Sequence, residues 1–307
     1  MISEEKHSYE ELYRLGKGEL ESAGISEAEL DARLLLEHVC GTNRNDLLVH
    51  GDREVAAAEQ NVYERLLAGR KERIPLQQLT GRQEFMGLEF AVNEHVLIPR
   101  QDTEILVEEV LRNLYDGMRI LDLCTGSGCI LISLLHYSND CEGVGTDISA
   151  EALDVARQNA QKLLGIQAGA GDALTFHGTE ESAENRDGRI SFIQGDLFEK
   201  VEGKFDIIVS NPPYICRNVI ETLMPEVREH EPLLALDGGE DGISFYRRIM
   251  EECGSYLCGG GMLFLEIGYD QAADVRKLME DAGFLEVSVV KDYGGQDRVV
   301  YGTKPFA

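Results

Sequence analysis

The chain has no stretch approaching the ~18 consecutive apolar residues that a membrane span needs. It has no C-x-x-C pair either. Its seven cysteines, at 40, 124, 129, 141, 216, 253 and 258, form an odd set, and its seven histidines are scattered, none at metal-ligand spacing from another His or Cys. Free thiols in a reducing compartment are therefore expected, with no structural metal. No apolar segment follows Met1-Ile2-Ser3-Glu4-Glu5-Lys6, so no signal peptide is expected and the expected location is cytoplasmic.

Basic charge is also scarce, with 29 Lys+Arg against 56 Asp+Glu and a formal net charge of −27. The one basic cluster, Gly69-Arg70-Lys71-Glu72-Arg73, is short and contains a Glu. Such a chain repels nucleic-acid phosphates, and a basic protein partner suits it better than RNA or DNA. Acidity kept only for solubility is the plainer explanation of the same balance. The 307 residues, 43% hydrophobic and 28% charged, suffice for a real core and about two domains. Disordered, collagen-like and disulfide-stapled chains are excluded.

Residues 8–70 read as helices. Ser8 through Ala23 carries Leu12, Leu15 and Leu20 and is closed by Gly24. Ser26-Glu27-Ala28-Glu29 has the form of a capping box opening a helix with Leu30, Leu34, Leu35 and Val39 on its stripe. Shorter helices are expected over Asn45–His50 and Glu54–Ala68. Positions 1–80 hold ten basic against sixteen acidic residues and no catalytic constellation. This part is either a stabilising cap or a docking module for a macromolecular substrate.

Gln83–Met86 and Leu88–Val92 around Gly87 predict a hairpin. From about 102 onward strands alternate with helices. Strands are expected at 119–124, 142–147, 190–194, 205–210 and 262–267, and helices at 103–114, 130–137, 149–164, 242–257 and 271–282. Two closing strands follow at 285–291 and 297–303. Repeated βα units predict an α/β domain with a parallel sheet covered on both faces. The closing β-β step predicts an antiparallel pair at the end of that sheet. The expected division is a helical domain over 1–73, a hairpin linker over 74–101 and the α/β domain over 102–307. Residues 165–189, rich in Gly, Ser, Asn and acids, predict a surface excursion.

The chemistry concentrates at the ends of the strands. Ile120-Leu121-Asp122-Leu123-Cys124-Thr125-Gly126-Ser127-Gly128-Cys129 reads as strand, Gly-rich turn and helix start, where backbone can pass close to a ligand. The next strand ends at Asp147, about 20 residues on, where a carboxylate can accept from both hydroxyls of a ribose. The third ends in Gly195-Asp196-Leu197-Phe198, an acid for an adenine amino group and a Leu to pack on the base. Together the three ends specify an adenosine ligand, although each acid alone could be a helix N-cap. Asp122 and Glu266 are candidates either for the far end of that ligand or for a structural role. Arg100, Thr103 and Glu104 are placed to close over the site.

Asn211-Pro212-Pro213-Tyr214 follows the apolar strand 205–210 directly. Two prolines stiffen the turn and force Asn211 into an extended conformation. The Asn211 amide oxygen and the Pro212 carbonyl can then face one –NH2 group, with the Tyr214 ring beside a planar π system. The group served is an amide or an exocyclic base amine.

LDLCTGSGC, the acid in GTDIS, GDLF and SNPPYI together resemble S-adenosylmethionine-dependent class I methyltransferases of the amino-methylating kind. PLQQLTGRQEFMGLEF, VLIPRQDTE, EVREHEPLLALDGGEDGISFYRRI, Phe264-Leu265-Glu266-Ile267-Gly268-Tyr269 and Gln296-Asp297-Arg298-Val299-Val300 narrow the resemblance to the release factor glutamine methyltransferase family, over nearly the whole chain. That resemblance implies a Rossmann-like class I methyltransferase sheet. It also implies methylation of the glutamine side-chain nitrogen in the Gly-Gly-Gln motif of peptide chain release factors, the proteins of translation termination. S-adenosyl-L-methionine would be the cofactor and S-adenosyl-L-homocysteine the product. Catalysis falls to Asn211, Pro212 and Tyr214, which with Pro213 also bind substrate. Cofactor binding falls to Cys124, Thr125, Gly126, Ser127, Gly128, Asp147, Asp196, Leu197 and Asn211. No metal, no nucleic-acid or membrane contact and a monomeric state are expected. Cys124 stands where glycine is common and Gln101-Asp102 where Pro-Glu is frequent. A nucleic-acid amine methyltransferase and a non-catalytic adenosine-binding scaffold are the rivals. Net charge opposes the first, and the intact Asn211 and Tyr214 oppose the second.

Tyr293-Gly294-Gly295-Gln296 contains a Gly-Gly-Gln of its own. The expected reading is a tight turn between the closing strands, with Gln296 unmodified.

Overall fold

The computed structural model describes residues 7–165, 173–174 and 190–306. It divides into two compact units, one of residues 1–81 with 224–230, the other of 82–223 with 231–307. Most of the expected excursion over 165–189 lies outside the described residues.

The first unit is helical: α1 (Tyr9–Ser22), α2 (Ala28–Cys40), α3 (Arg44–Val49), α4 (Ala57–Lys71) and α5 (Leu76–Thr80). A capping box does open a helix, but at Ser8 and not at Ser26. The Glu11 N–H donates to Ser8 Oγ at 3.3 Å and the Ser8 N–H to Glu11 Oε2 at 2.8 Å. The N-cap of α2 is Glu27, with no side-chain cap, so the expected Ser26–Glu29 pair falls one residue out of step with the helix start. Residues Leu12, Gly16 and Leu20, four apart, form the buried stripe of α1, which leaves Leu15 half exposed; Leu30 of α2 is likewise on the outside. The core joins Leu12, Leu20, Leu35, Leu36, Tyr63 and Leu67. At its edge Arg70 donates to Asp31 at 2.7 Å and to Glu226 at 3.0 Å, and Arg73 reaches Glu226 at 3.3 Å. These bonds, with that of Gln78 to the His230 carbonyl at 2.8 Å, tie residues 224–230 to this unit.

The second unit opens with the expected hairpin, β1 (Arg82–Phe85) and β2 (Leu88–Ala91). It continues through α6 (Gln101–Asn113), β3 (Arg119–Leu123), α7 (Cys129–His136), β4 (Glu142–Asp147), α8 (Ala150–Leu164), β5 (Ala173–Leu174), β6 (Ile190–Gln194) and β7 (Phe205–Ser210). Two one-turn helices follow, α9 (Arg217–Ile220) and α10 (Pro225–Arg228), the latter counted with the first unit. The chain closes with α11 (Ser244–Tyr256), β8 (Leu257–Glu266), α12 (Ala272–Asp281), β9 (Leu285–Lys291) and β10 (Asp297–Thr303).

The sheet has the order β5-β6-β4-β3-β7-β8-β10-β9. The strands from β6 to β8 pair in parallel and β10 and β9 antiparallel, as the sequence predicts, and the two-residue β5 adds an antiparallel edge that it did not. Alternating side chains of the buried strands separate onto two faces. Ile120, Ile207, Val209 and Phe264 meet Leu106, Leu131 and Leu153 of α6, α7 and α8 on one face. Leu121, Leu123, Ile208 and Leu265 meet Ile249, Val275 and Met279 of α11 and α12 on the other. This is the class I methyltransferase fold.

The β9–β10 turn lies at the sheet's edge. Asp292 organises it: its N–H donates to the Gln296 carbonyl at 2.8 Å, and its Oδ1 accepts the Gln296 N–H at 3.0 Å. Gly295 takes φ of 82°, where a Cβ would be strained. Releasing Gln296 into a recessed crevice would break these bonds, at about 1 kcal/mol each. After prolonged incubation of the enzyme with cofactor and no substrate, intact-mass analysis should show no species heavier by roughly 14 Da at Gln296.

Candidate active site

The register pairs Leu123 of β3 with Thr146 of β4 and Ser210 of β7, and Asp147 with Gln194 of β6. The carboxyl ends of four strands therefore align, and the residues after each meet at one edge, around the point where the strand order reverses. A cavity of about 340 Å³ opens there, within the size range of small-molecule sites.

Cys124, Thr125, Gly126 and Ser127 line this cavity. So do Asp147, Asp196 and Leu197, and Asn211 and Pro213 complete the predicted set on its walls. Gly128, Pro212 and Tyr214 do not line it. Gly128, at φ 79°, starts α7, and a Cβ there would lie 2.8 Å from Ile132 and 3.2 Å from Ala156, so the glycine permits α7 and α8 to approach. Cys124 occupies the left-handed region at φ 58°, a conformation costing about 1 kcal/mol for a residue with a Cβ. The loop is held by the Thr125 N–H on the Thr146 carbonyl at 2.9 Å and by Asn159, buried on α8, which donates to the Ser127 and Ala91 carbonyls at 3.0 Å.

Asp147 is fixed from both sides. Its Oδ2 accepts the Gly126 N–H at 2.9 Å and its Oδ1 the Ser149 N–H at 3.0 Å, while burial pushes its carboxyl above the ordinary range. Asp196 gives Oδ2 to Arg248 at 2.9 Å, so only part of its acceptor capacity remains for a ligand amine. Asp122 is fully buried, with Oδ2 accepting the Thr125 hydroxyl at 2.5 Å and Oδ1 without a partner among the described residues.

Burial pushes the Asp122 carboxyl up to about 7 from 3.8. A raised pKa means that the folded state binds the proton more tightly, so Asp122 costs stability progressively as pH rises from about 4 to about 7, and no more above that. Asp122→Asn should therefore raise the melting temperature of the cofactor-free protein, with an advantage that widens between pH 5 and 7.5 and then levels off. An advantage independent of pH would contradict the assignment.

Of the three residues expected to close over the site, Arg100 and Thr103 line the cavity and Glu104 does not, because its carboxylate accepts the Met86 N–H at 2.7 Å. Glu231, which the sequence reading missed, is buried and anchors Arg100 at 2.5 Å and the Ile98 N–H at 3.3 Å. Pro232, Leu234 and Phe245 were missed as wall residues too; their one signal is the apolar run inside an otherwise acidic stretch.

The Asn211 Nδ2 donates to Thr103 Oγ1 at 3.3 Å. Tyr214 is anchored at both ends, its hydroxyl donating to Glu266 Oε1 at 3.3 Å and its carbonyl accepting from Gln271 Nε2 at 2.9 Å. Burial, then the neighbouring Glu266 charge, holds the Tyr214 phenol well above its usual range, so it stays a neutral donor. Glu266 does not line the cavity. It is buried, with its carboxyl pushed up to about 7.

The PrmC N-terminal domain family matches residues 11–81, and a methyltransferase domain family matches 114–177. A curated protein from Agrobacterium fabrum named release factor glutamine methyltransferase is 38% identical over 287 residues, 92% of either chain. The protein of that name from Caulobacter vibrioides is 40% identical over 291 residues, 94% of this chain and 93% of that one. The chain belongs to the release factor glutamine methyltransferase family. A solved methyltransferase from Pyrococcus furiosus, 19% identical, shares the fold at a TM-score of 0.51, over 78% of this chain and 99% of that one.

The cavity suits the family's methyl donor. Its walls carry two buried hydroxyls without partners among the described residues, Ser127 Oγ and Thr146 Oγ1, an unmet capacity that the polar end of a ligand would fill. Asp147 keeps unused lone pairs on the wall, and Leu197 is a buried apolar residue there. Among the described residues no three His, Cys, Asp or Glu side chains are placed to hold a metal, and no helix is long and apolar enough to cross a membrane.

Proposed function

We propose that the protein transfers a methyl group from S-adenosyl-L-methionine to the side-chain amide nitrogen of the glutamine in the Gly-Gly-Gln motif of peptide chain release factors. The observation that carries this reading is the Asn211 amide on the cavity wall with its –NH2 already engaged by Thr103. That bond leaves Oδ1 as an acceptor for a substrate N–H.

Bound S-adenosylmethionine supplies an electrophilic methyl on a sulfonium. An amide nitrogen is a poor nucleophile, and no group on the cavity wall is a base strong enough to deprotonate it. Asn211 Oδ1 and the Pro212 carbonyl accept its two N–H hydrogens and aim the nitrogen. As the N–C bond forms and the S–C bond breaks, the nitrogen gains positive character, and the same acceptors bind it more tightly than in the ground state. The surplus proton leaves to water. Tyr214, anchored to Glu266 and Gln271, stiffens the Asn-Pro-Pro turn and sets its ring beside the plane of the amide.

The helical unit fits a docking role for the macromolecular substrate; the stretch expected as a linker over 74–101 is divided between the units, α5 going with the helices and the hairpin with the methyltransferase domain. The overall charge of −27 suits a basic protein surface and opposes RNA or DNA. A monomer acting in the cytoplasm is sufficient for this chemistry. Incubation with cofactor and a release factor, followed by mass spectrometry of the tryptic Gly-Gly-Gln peptide, should show one added methyl on the glutamine. Labelled methyl appearing instead in RNA or DNA would overturn the substrate, and cofactor binding without turnover on any of them would overturn the activity.

A further inference from the structure

Behind the Asn211 wall lies a buried polar group that the proposed chemistry does not use. Glu266 ends β8 with 1% of its surface exposed, and Thr103, in the first turn of α6, has 2%. The Thr103 hydroxyl acts on the Glu266 carboxylate as a donor that favours its ionised form, while its oxygen receives the Asn211 Nδ2 donor at 3.3 Å. The Tyr214 hydroxyl meets the same carboxylate at 3.3 Å, and Glu266 Oε2 has no partner among the described residues. The backbone of Glu266 is itself pinned, its carbonyl accepting the Tyr246 hydroxyl at 2.9 Å.

These bonds have a direction. An ionised carboxylate only accepts, so Thr103 must give it the hydroxyl proton, and the Thr103 oxygen is then free only to accept. An Asn amide facing that oxygen must present its –NH2 and turn its carbonyl oxygen the other way. We propose that Thr103 and Glu266 are positioning residues that set the orientation of the Asn211 amide, holding Oδ1 toward the substrate nitrogen. The proposal rests on the role given to Asn211 above.

It carries a pH dependence. If Glu266 is protonated, Thr103 can accept from it and donate onward, and the Asn211 amide can turn its –NH2 to the substrate, where it repels the N–H it should receive. Facing Glu266 are Arg298 of β10, which favours the ionised form, and Asp102 of α6, which opposes it. Tyr214, Tyr246 of α11 and Cys129 of α7 complete the titratable neighbours. Ionised Glu266 is the active form, so activity rises with pH through its titration.

The variants Thr103→Val, Thr103→Ser and Glu266→Gln test this, with Asn211→Ala as reference. Thr103→Val keeps shape and removes the hydroxyl. Its kcat should fall about tenfold with cofactor Kd unchanged, Thr103→Ser should restore kcat, and Glu266→Gln should flatten the acid limb of the kcat–pH profile. Wild-type kcat in Thr103→Val, alongside a damaged Asn211→Ala, would overturn the relay and leave the Asn211 role standing. Wild-type kcat in Asn211→Ala would remove that role itself. A second readout is independent of the substrate. The Asn211 side-chain –NH2 resonances of ¹⁵N-labelled enzyme, assigned by their loss in Asn211→Ala, should move in Thr103→Val and stay in Thr103→Ser. Resonances unmoved by Thr103→Val would overturn the proposal.

Discussion

Asn211→Ala should lower turnover at least ~100-fold while the cofactor Kd changes by no more than a few-fold. The asymmetry follows from what the side chain does. Asn211 lines the cavity, and its –NH2 is occupied by Thr103 at 3.3 Å, so its remaining polar atom is the acceptor. Truncation leaves a substrate N–H facing a dry wall at the moment the nitrogen becomes cationic, which penalises the transition state more than the ground state. On the proposed reading, affinity for the cofactor rests mainly on the Gly-rich loop, Asp147 and the wall after β6, and Asn211, though counted with that set, hydrogen-bonds to none of them through its side chain. Single-turnover methyl transfer from labelled cofactor, with calorimetric titration of cofactor on the same preparation, separates the two quantities. Wild-type turnover would sink the positioning mechanism. Lost turnover with an equally large loss of cofactor affinity would make Asn211 a cofactor residue instead.

What the sequence revealed depended on how local the cause was. The parallel strands announced themselves because both faces are buried, so 119–124 and 205–210 read as apolar runs ending in turns. Asp147 and Asn211 were legible because a site at strand ends demands a polar residue immediately after an apolar run. Glu266 was legible as a residue but not as a partner. Its neighbours Thr103 and Tyr214 come from 163 and 52 positions earlier, and only the sheet order β7-β8 with α6 behind it joins them. Glu231 was hidden for the same reason, since its partners Ile98 and Arg100 are over 130 residues away. The start of α2 was misplaced by one residue because Ser-Glu-Ala-Glu contains the letters of a capping box, while the helix began where packing of Ala28 and Ala32 put it.

The acidic residues of this chain thus divide by burial. Most of the −27 sits outside, where it shapes the field met by a partner. Asp122, Asp147 and Glu266 are buried or nearly so, each with a carboxyl raised by burial. Buried acids cost stability when ionised; of these three only Asp147 lines the cavity, while Asp122 accepts the Thr125 hydroxyl and Glu266 the Tyr214 hydroxyl.

Asp147→Ala should weaken cofactor binding by about 100-fold, with two losses adding. One is the acceptor for the ribose hydroxyls at the end of β4. The other is structural: both carboxylate oxygens currently receive backbone N–H groups, from Gly126 at 2.9 Å and Ser149 at 3.0 Å. Alanine frees the Gly126 N–H in a loop whose Cys124, Gly126 and Gly128 all sit at positive φ, so the cofactor would have to order what Asp147 now holds. Asp147→Asn divides these effects. Its single amide oxygen can keep one of the two N–H groups but loses the charge that strengthens a hydroxyl's donation, so its affinity should fall between wild type and alanine. Calorimetric titration of cofactor and of S-adenosyl-L-homocysteine into the three proteins measures both steps. Because the ribose is common to donor and product, both ligands should weaken in parallel. Unchanged affinity in Asp147→Ala would remove the acid from the binding site, whereas loss for one ligand alone would place it at the methyl-bearing end.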